Sequence, residues 1–334
     1  MTEDDDPKHL EVQLAAWLRS EVAPDGEVRI QGLRRTSAGY SRQNWVFDAD
    51  WEVAGKAVHA ELIARRDPPG SVLATDREVE YRLLRALERA PVPTPTARWL
   101  DPDGQWLGRP TLVMDREAGE CDWFVLNGAR PLETRRALAE ELLDALIAIS
   151  RVDWRALGVG EFLEDPGREA AQRALDFWEH QIRGAQLEPL PELEIALSWL
   201  RAHAPTSRGT VLVHADFKPG NTLLRGNRLG VILDWELAHL GDPVEDVAWV
   251  TQPLRAREHQ IPGVWEREQI LEHFRAATGI DVTDDELRWW HVFSLFRTVS
   301  TVVRGMAAYV DGRYDRAFHV PGRLFTMMFD LIGV

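Results

Sequence analysis

The chain has 334 residues, 45% of them apolar and 28% charged, which is ample for a sizeable core and ordinary for a soluble protein. Its 54 acidic residues outnumber 39 basic ones, and a net charge of −15 argues against a nucleic-acid partner, which would leave a basic footprint. The same charge is compatible with a cationic substrate, although acidity also simply serves solubility. The single cysteine, Cys121, excludes an internal disulfide, no 18-residue apolar run signals a membrane span, and the acidic opening MTEDDDPK lacks a signal peptide's apolar stretch; a cytoplasmic protein is the expectation.

In chain order, Leu10, Leu14, Trp17 and Leu18 recur at helical spacing and predict a lead-in helix over 9–22, stopped by Pro24-Asp25-Gly26. Strand character over 28–33 and again over 45–47 flanks a small polar loop containing Ser41 and Arg42, whose backbone N–H groups and hydroxyls suit phosphate oxygens. A polar turn is expected over 48–55 and a strand over 59–65. The stripe Val79, Leu83, Leu84, Leu87 predicts a helix over 76–90, ended by Pro91-Val92-Pro93-Thr94-Pro95. Residues 111–114 read as a further strand.

From there the pattern turns helical: 132–149, 168–186 and 192–203, the last two separated by Pro189 and Pro191. A helix begins near Asp246, with Asp242 and Asp246 read as structural anchors. Another over 266–279 is closed by Gly279; Thr283-Asp284-Asp285-Glu286 is a capping box for a helix over 286–307, and a short helix over 321–331 follows.

The stretch with chemistry is 211–246. An apolar run, Val211-Leu212-Val213, delivers His214, Asp216, Lys218 and Asn221; a second, Gly230-Val231-Ile232-Leu233, delivers Asp234. Two strands thus each hand a carboxylate to one cleft. Asn221 follows Asp216 by five positions and precedes Asp234 by thirteen. Phosphoryl transfer needs such parts: a carboxylate to accept the proton of the attacking hydroxyl, and an Asn with a second carboxylate to hold Mg²⁺ against nucleotide phosphates. The spacing matches the H-x-D-x-x-x-x-N pattern of kinases, with Asp234-Trp235-Glu236 in the place of D-F-G.

HADFKPGN followed by DWELAHLGDPVED resembles the aminoglycoside phosphotransferase family of small-molecule kinases, and ELAHLGDP resembles the branch in acyl-CoA dehydrogenase family members 10 and 11. Family members usually carry Gly where this chain has Ala215. The resemblance implies an α+β, two-lobed, protein-kinase-like fold: an antiparallel β N-lobe over 1–118 and a mainly helical C-lobe over 119–334. It implies Asp216 as catalytic base, Asn221 and Asp234 as Mg²⁺ ligands, and ATP as donor. It also places Ser41 and Arg42 over the nucleotide, Arg65 on its α- and β-phosphates, and Glu80, rather than Glu78, beside Arg65. The hinge near Met114 to Arg116 would read the adenine edge. His214 would position the loop, and Glu236 would assist at the metal or bond to the loop.

The resemblance implies a small-molecule alcohol as acceptor and permits an aminoglycoside, a choline-like amine, a sugar or a hydroxyacyl-CoA. On the last long helix, Arg297 and Arg304 stand seven apart on one face beside Trp290 and Phe293. That set suits an anionic, acyl-CoA-like substrate, and also suits a core helix with two snorkelling arginines. The wording of the motif leans to the anionic alcohol. A nucleotide-binding pseudokinase is the other class of function, and the full set Asp216, Asn221, Asp234 counts against it. The sequence leaves the oligomeric state open.

Overall fold

Period-two burial in a long strand pair organises the first of two units. The computed structural model describes residues 6–36, 43–68, 76–314 and 317–334. It divides into one unit of residues 1–85 and 95–117 and another of residues 86–94 and 118–334. The first holds helix α1 (Pro7–Val22), strands β1 (Val28–Arg35), β2 (Gln43–Val53) and β3 (Lys56–Arg66), the body of helix α2 (Arg77–Leu87), and strands β4 (Ala97–Asp101) and β5 (Thr111–Asp115). The sheet runs β1-β2-β3-β5-β4, every pairing antiparallel.

The polar turn expected over 48–55 is instead mostly strand. Phe47 and Ala49 are fully buried while Asp48, Asp50 and Glu52 alternate with them, the pattern of a half-buried strand. The reversal is confined to Ala54 and Gly55, both at positive φ (50° and 76°), with Val53 opposite Lys56, as a two-residue hairpin requires. Strand β4 was not anticipated: it is only five residues long and follows directly on the proline run. The core of this unit packs Leu10, Leu14 and Trp17 of α1 against Trp45, Phe47, Leu62 and Val113 of the sheet. Each such fully buried side chain contributes roughly 1.5–3 kcal/mol.

The second unit comprises α3 (Leu132–Ser150), α4 (Ala170–Arg183), α5 (Pro191–Ala202), β6 (Val211–Val213), β7 (Thr222–Arg225), β8 (Arg228–Ile232), β9 (His239–Gly241), α6 (Glu245–Thr251), α7 (Ala256–His259), α8 (Arg267–Thr278), α9 (Asp284–Val310) and α10 (Gly322–Ile332). Its strands form two ribbons, β6 with β9 and β7 with β8. Helix α9 is the hub, in contact with α4, α5, α6 and α10. Its start is fixed by the capping box between Thr283 and Glu286. Its early turns are sealed: Trp289 stacks on Phe293 at 5.3 Å, Trp290 meets Phe293 edge-on at 5.2 Å, and all three are fully buried. The fold is α+β and kinase-like, a β-sheet unit followed by a mainly helical one. No helix among the described residues is long and apolar enough to cross a membrane.

Candidate active site

Pairing of β6 with β9 and of β7 with β8 leaves one short loop, 214–221, between β6 and β7. Its backbone is held from behind by Asp246 on α6: the N–H groups of His214 and Ala215 donate to the two Asp246 carboxylate oxygens, at 2.7 and 2.9 Å. Burial pushes the Asp246 carboxyl upward, while His214 and the two N–H donors pull it back. The anchor role expected of Asp246 thus has a definite geometry. Asp242 accepts from the N–H of Val244, at 2.8 Å, just before α6.

His214 is fully buried. The Asp216 N–H donates to its Nδ1 at 3.3 Å, so Nε2 carries the proton and donates to the carbonyl of Leu233 at 3.0 Å. That bond ties the loop to the residue just before Asp234. Trp235 covers the imidazole, ring centroids 4.7 Å apart. Ala215 adopts φ 69°, the left-handed region that a Cβ disfavours, and its carbonyl accepts from the Arg297 guanidinium.

The Asp216 side chain faces two donors on its own loop. Lys218 Nζ lies 2.5 Å from Asp216 Oδ2, and Asn221 Nδ2 lies 2.9 Å from the same oxygen and 3.0 Å from the Asp216 carbonyl. Asn221's amide nitrogen is spent on Asp216, which leaves its oxygen as the atom for a cation. The Asn221 carbonyl accepts from the N–H of Leu233 at 2.8 Å, bringing Asp234 next in chain to the same spot. Asp234 itself sits at φ 67° at the head of the turn 235–237, which also carries Glu236. Among the described residues no three His, Cys, Asp or Glu side chains gather as a metal cage. An amide oxygen with one carboxylate fits Mg²⁺, which keeps waters and substrate phosphates in its other positions.

Lys218 and Trp123 are functional candidates that the sequence reading missed. Lys218 was visible two residues after Asp216, but nothing assigned it a role. Its ammonium lies 4.9 Å from the Trp123 ring centroid. A Cβ on Gly220 would meet that ring at 2.6 Å, so the indole packs directly on the loop. Trp123 lies almost a hundred residues upstream, and no local pattern connects it to the loop.

In the first unit, Arg65 on β3 pairs with Glu80 on α2 at 2.8 Å, and Arg77 takes the other Glu80 oxygen and Asp67 at 2.7 Å. Met114 is buried in β5. Arg116 directs its guanidinium to Asp48 at 2.9 Å and Glu61 at 2.5 Å, and its N–H to the Glu61 carbonyl. Ser41 and Arg42 lie outside the described residues. Trp290 is sealed within the helical core and lines no open channel. Arg297 reaches the 214–221 loop from behind, bonded to Ala215 and to Glu245 at 3.4 Å, and burial lowers its pKa. Arg304 bonds to Gln181 on α4. The two arginines expected to share one substrate face therefore have separate protein partners.

The sequence profile of the phosphotransferase enzyme family, APH, matches residues 32–290. The chain belongs to this family. Mouse acyl-CoA dehydrogenase family member 10 is 28% identical over 280 residues, covering 77% of this chain and 24% of that protein. Rat acyl-CoA dehydrogenase family member 11 is 26% identical over 269 residues, covering 75% and 34%. The chain spans about a quarter to a third of the length of these curated relatives. A candidate aminoglycoside phosphotransferase from Ralstonia eutropha superposes with a TM-score of 0.70 at 23% identity, over 96% of this chain and 98% of that one. A thermostable mutant of aminoglycoside phosphotransferase APH(4)-Ia, crystallised with AMP-PNP and hygromycin B, gives 0.59 at 17%, over 96% and 98%. At these identities the structural likeness establishes the fold.

Proposed function

We propose that this family member is a Mg·ATP-dependent phosphotransferase acting on a hydroxyl of a small anionic alcohol, of the hydroxyacyl-CoA kind. The observation that carries the reaction class is the Asp216 carboxylate, held between Lys218 and Asn221 on a loop that Asp246, Leu233 and Arg297 fix from behind. A carboxylate so restrained is positioned to accept the acceptor's hydroxyl proton as the new P–O bond forms. Lys218 orients it and adds a positive charge where negative charge accumulates on the transferred phosphoryl group. Asn221 and Asp234 are the residues that would hold Mg²⁺, whose chemistry is to neutralise phosphate charge. Arg65, oriented by Glu80, is assigned to the nucleotide phosphates, a role that a guanidinium fills bidentately. AMP-PNP in the APH(4)-Ia complex supports ATP as donor.

The acceptor class rests on the names of the relatives. No acyl-CoA dehydrogenase activity is carried over, since the chain matches only a fraction of those proteins. Hygromycin B in the APH(4)-Ia complex and the net charge of −15 favour a cationic acceptor as the competing reading. The test is ADP release from Mg·ATP with 4-hydroxyacyl-CoA in one arm and kanamycin in another. Release with the thioester is expected. Release with kanamycin alone overturns the acceptor class; nucleotide binding without ADP release across a panel of alcohols overturns the enzyme and leaves a nucleotide-binding regulator.

A further inference from the structure

Beside the catalytic loop, residues 249–259 run as the end of α6, a turn and α7, and carry polar atoms with no hydrogen-bond partner among the described residues. These are Trp249 Nε1, both amide atoms of Gln252, Arg255 Nε and His259 Nε2. Gln252 is fully buried, Trp249 is 4% and His259 6% exposed. A buried donor or acceptor left unmade costs about 1–3 kcal/mol, so five such atoms within eleven residues call for something that satisfies them.

Two chains of contacts join this segment to Asp216. The Trp249 ring is flanked by Arg255 at 4.5 Å and by Arg297 at 4.2 Å, and Arg297 bonds to Ala215. On the other side Trp123 covers Lys218, the adjacent Phe124 covers Arg257 at 4.3 Å, and the Asn127 amide donates to the carbonyls of Arg257 and Gln260 at 2.9 and 2.7 Å. Burial, Arg255 and Lys218 together push His259 down to about 3, so its ring is neutral and the charges acting on it are cationic. Against them stands Glu258, which takes Arg255 Nη1 at 2.9 Å and leaves its Nε unused.

From this geometry we infer that Gln252, Arg255 and His259 form an oxyanion-binding wall next to Lys218, which recognises a carboxylate or phosphate on the acceptor alcohol. The inference rests on the phosphotransferase reading and deepens it: it names the residues that select an anionic acceptor over a cationic one. A ligand oxyanion would accept from Arg255 Nε and the Gln252 amide, and a neutral His259 has an N–H or a lone pair for the adjoining group according to its tautomer.

The experiment titrates the full chain, saturated with Mg·ADP, with four short alcohols: 4-hydroxybutanoate, 3-hydroxypropyl phosphate, 4-hydroxybutanamide and 4-amino-1-butanol. The same series is run on Arg255→Gln and on Gln252→Met, which removes the unpaired amide at nearly constant shape. Wild type should bind at least one anionic alcohol about tenfold or more tighter than the amide, the equivalent of one charge-assisted hydrogen bond. Both variants should lose that preference and keep Mg·ADP affinity. Whichever anion wins decides between carboxylate and phosphate. The wall is refuted by equal binding of anion and amide, preference for the ammonium alcohol, absence of anion binding, or unchanged preference in the variants. A Gln252→Met chain with raised Tm and unchanged binding would mark the unpaired atoms as hydration sites only. Failure of wild type to bind Mg·ADP at all refutes instead the phosphotransferase reading on which the wall depends.

Discussion

Each unit buries an arginine–glutamate network, and the two are built differently. In the first, Arg65 and Arg77 share Glu80 and Arg77 also takes Asp67, all within residues 65–80. In the second, Arg297 on α9 reaches Glu245 over 52 residues and the Ala215 carbonyl over 82, while Glu245 also takes His239 at 3.1 Å. The first network is redundant: Glu80 has two arginines, so losing one leaves its charge paired. The second is serial, since Arg297 is both the partner of Glu245 and the clamp on the 214–221 loop. A local, redundant network suits presentation of a cation to a ligand; a long-range, serial one suits holding a loop at a fixed conformation.

The largest effect tests what the serial network is for. Asp216→Asn keeps the shape of the loop while removing the proposed proton acceptor, so turnover should fall about 10²–10⁴-fold with Mg·ATP affinity retained. Near-wild-type turnover in that variant would mean that the clamped loop does not carry the base. A paired measurement addresses the networks themselves. Arg297→Met leaves Glu245 buried with His239 as its ion-pair partner among the described residues and should cost about 3–5 kcal/mol of unfolding free energy. Arg65→Met leaves Glu80 on Arg77 and should cost less, about 1.5–3 kcal/mol, with the larger change in KM for Mg·ATP. Denaturant unfolding of both variants decides; equal stability costs would erase the distinction between redundant and serial networks.

The same contrast explains which parts the sequence revealed. Asp216, Asn221 and Asp234 lie within nineteen residues at strand ends, so their spacing made them visible, whereas Glu80, on the helix after Arg65, was singled out by the family resemblance. What holds the loop around Asp216 comes from Trp123 and Arg297, whose proximity to it exists only after folding, and from Asp246, read as an anchor whose partners, the N–H groups of His214 and Ala215, only the structure shows. Arg297 was noticed for a different reason, its spacing from Arg304, and helical periodicity could not reveal that each would find a separate protein partner. The strand over 48–53 was obscured because its outward residues are charged, which reads as a turn until the alternation is counted.

Within the second unit, a pH series separates two buried histidines by a smaller effect. Burial lowers His291, on α9, to about 4, and its Nε2 meets Thr251 Oγ1 at 3.2 Å. With the folded value below the unfolded one of about 6.5, no penalty exists above that pH. As pH falls from there toward 4, the unfolded chain takes up a proton that the folded chain refuses, and stability drops by up to about 1.4 kcal/mol per pH unit. His239 runs the opposite way. Burial opposes its protonation, but Glu245, the Leu237 carbonyl and Asp246 together outweigh burial and raise it, so its contribution is full below the unfolded pKa and fades as pH rises through the folded value. Urea unfolding at pH 7 and pH 5 should show His291→Gln losing less stability on acidification than wild type. An equal loss would assign the acid sensitivity to other groups.

The smallest expected effect tests how tightly the serial network grips. Ala215 holds φ 69° because Asp246 takes its N–H and Arg297 takes its carbonyl, and an L-residue there costs roughly 1–2 kcal/mol. Both anchors act on backbone atoms, which glycine retains. Ala215→Gly removes the Cβ penalty and adds flexibility to the unfolded chain, worth about 0.5–1 kcal/mol in the opposite sense. The net expectation is a gain of up to about 1 kcal/mol, with turnover little changed, because Asp216 is positioned by bonds to Lys218 and Asn221 that the substitution does not touch. Denaturant unfolding and a single turnover measurement suffice. A large loss of activity would show that the methyl group itself limits the loop to its active conformation, and that the clamp from Asp246 and Arg297 is by itself too weak to do so.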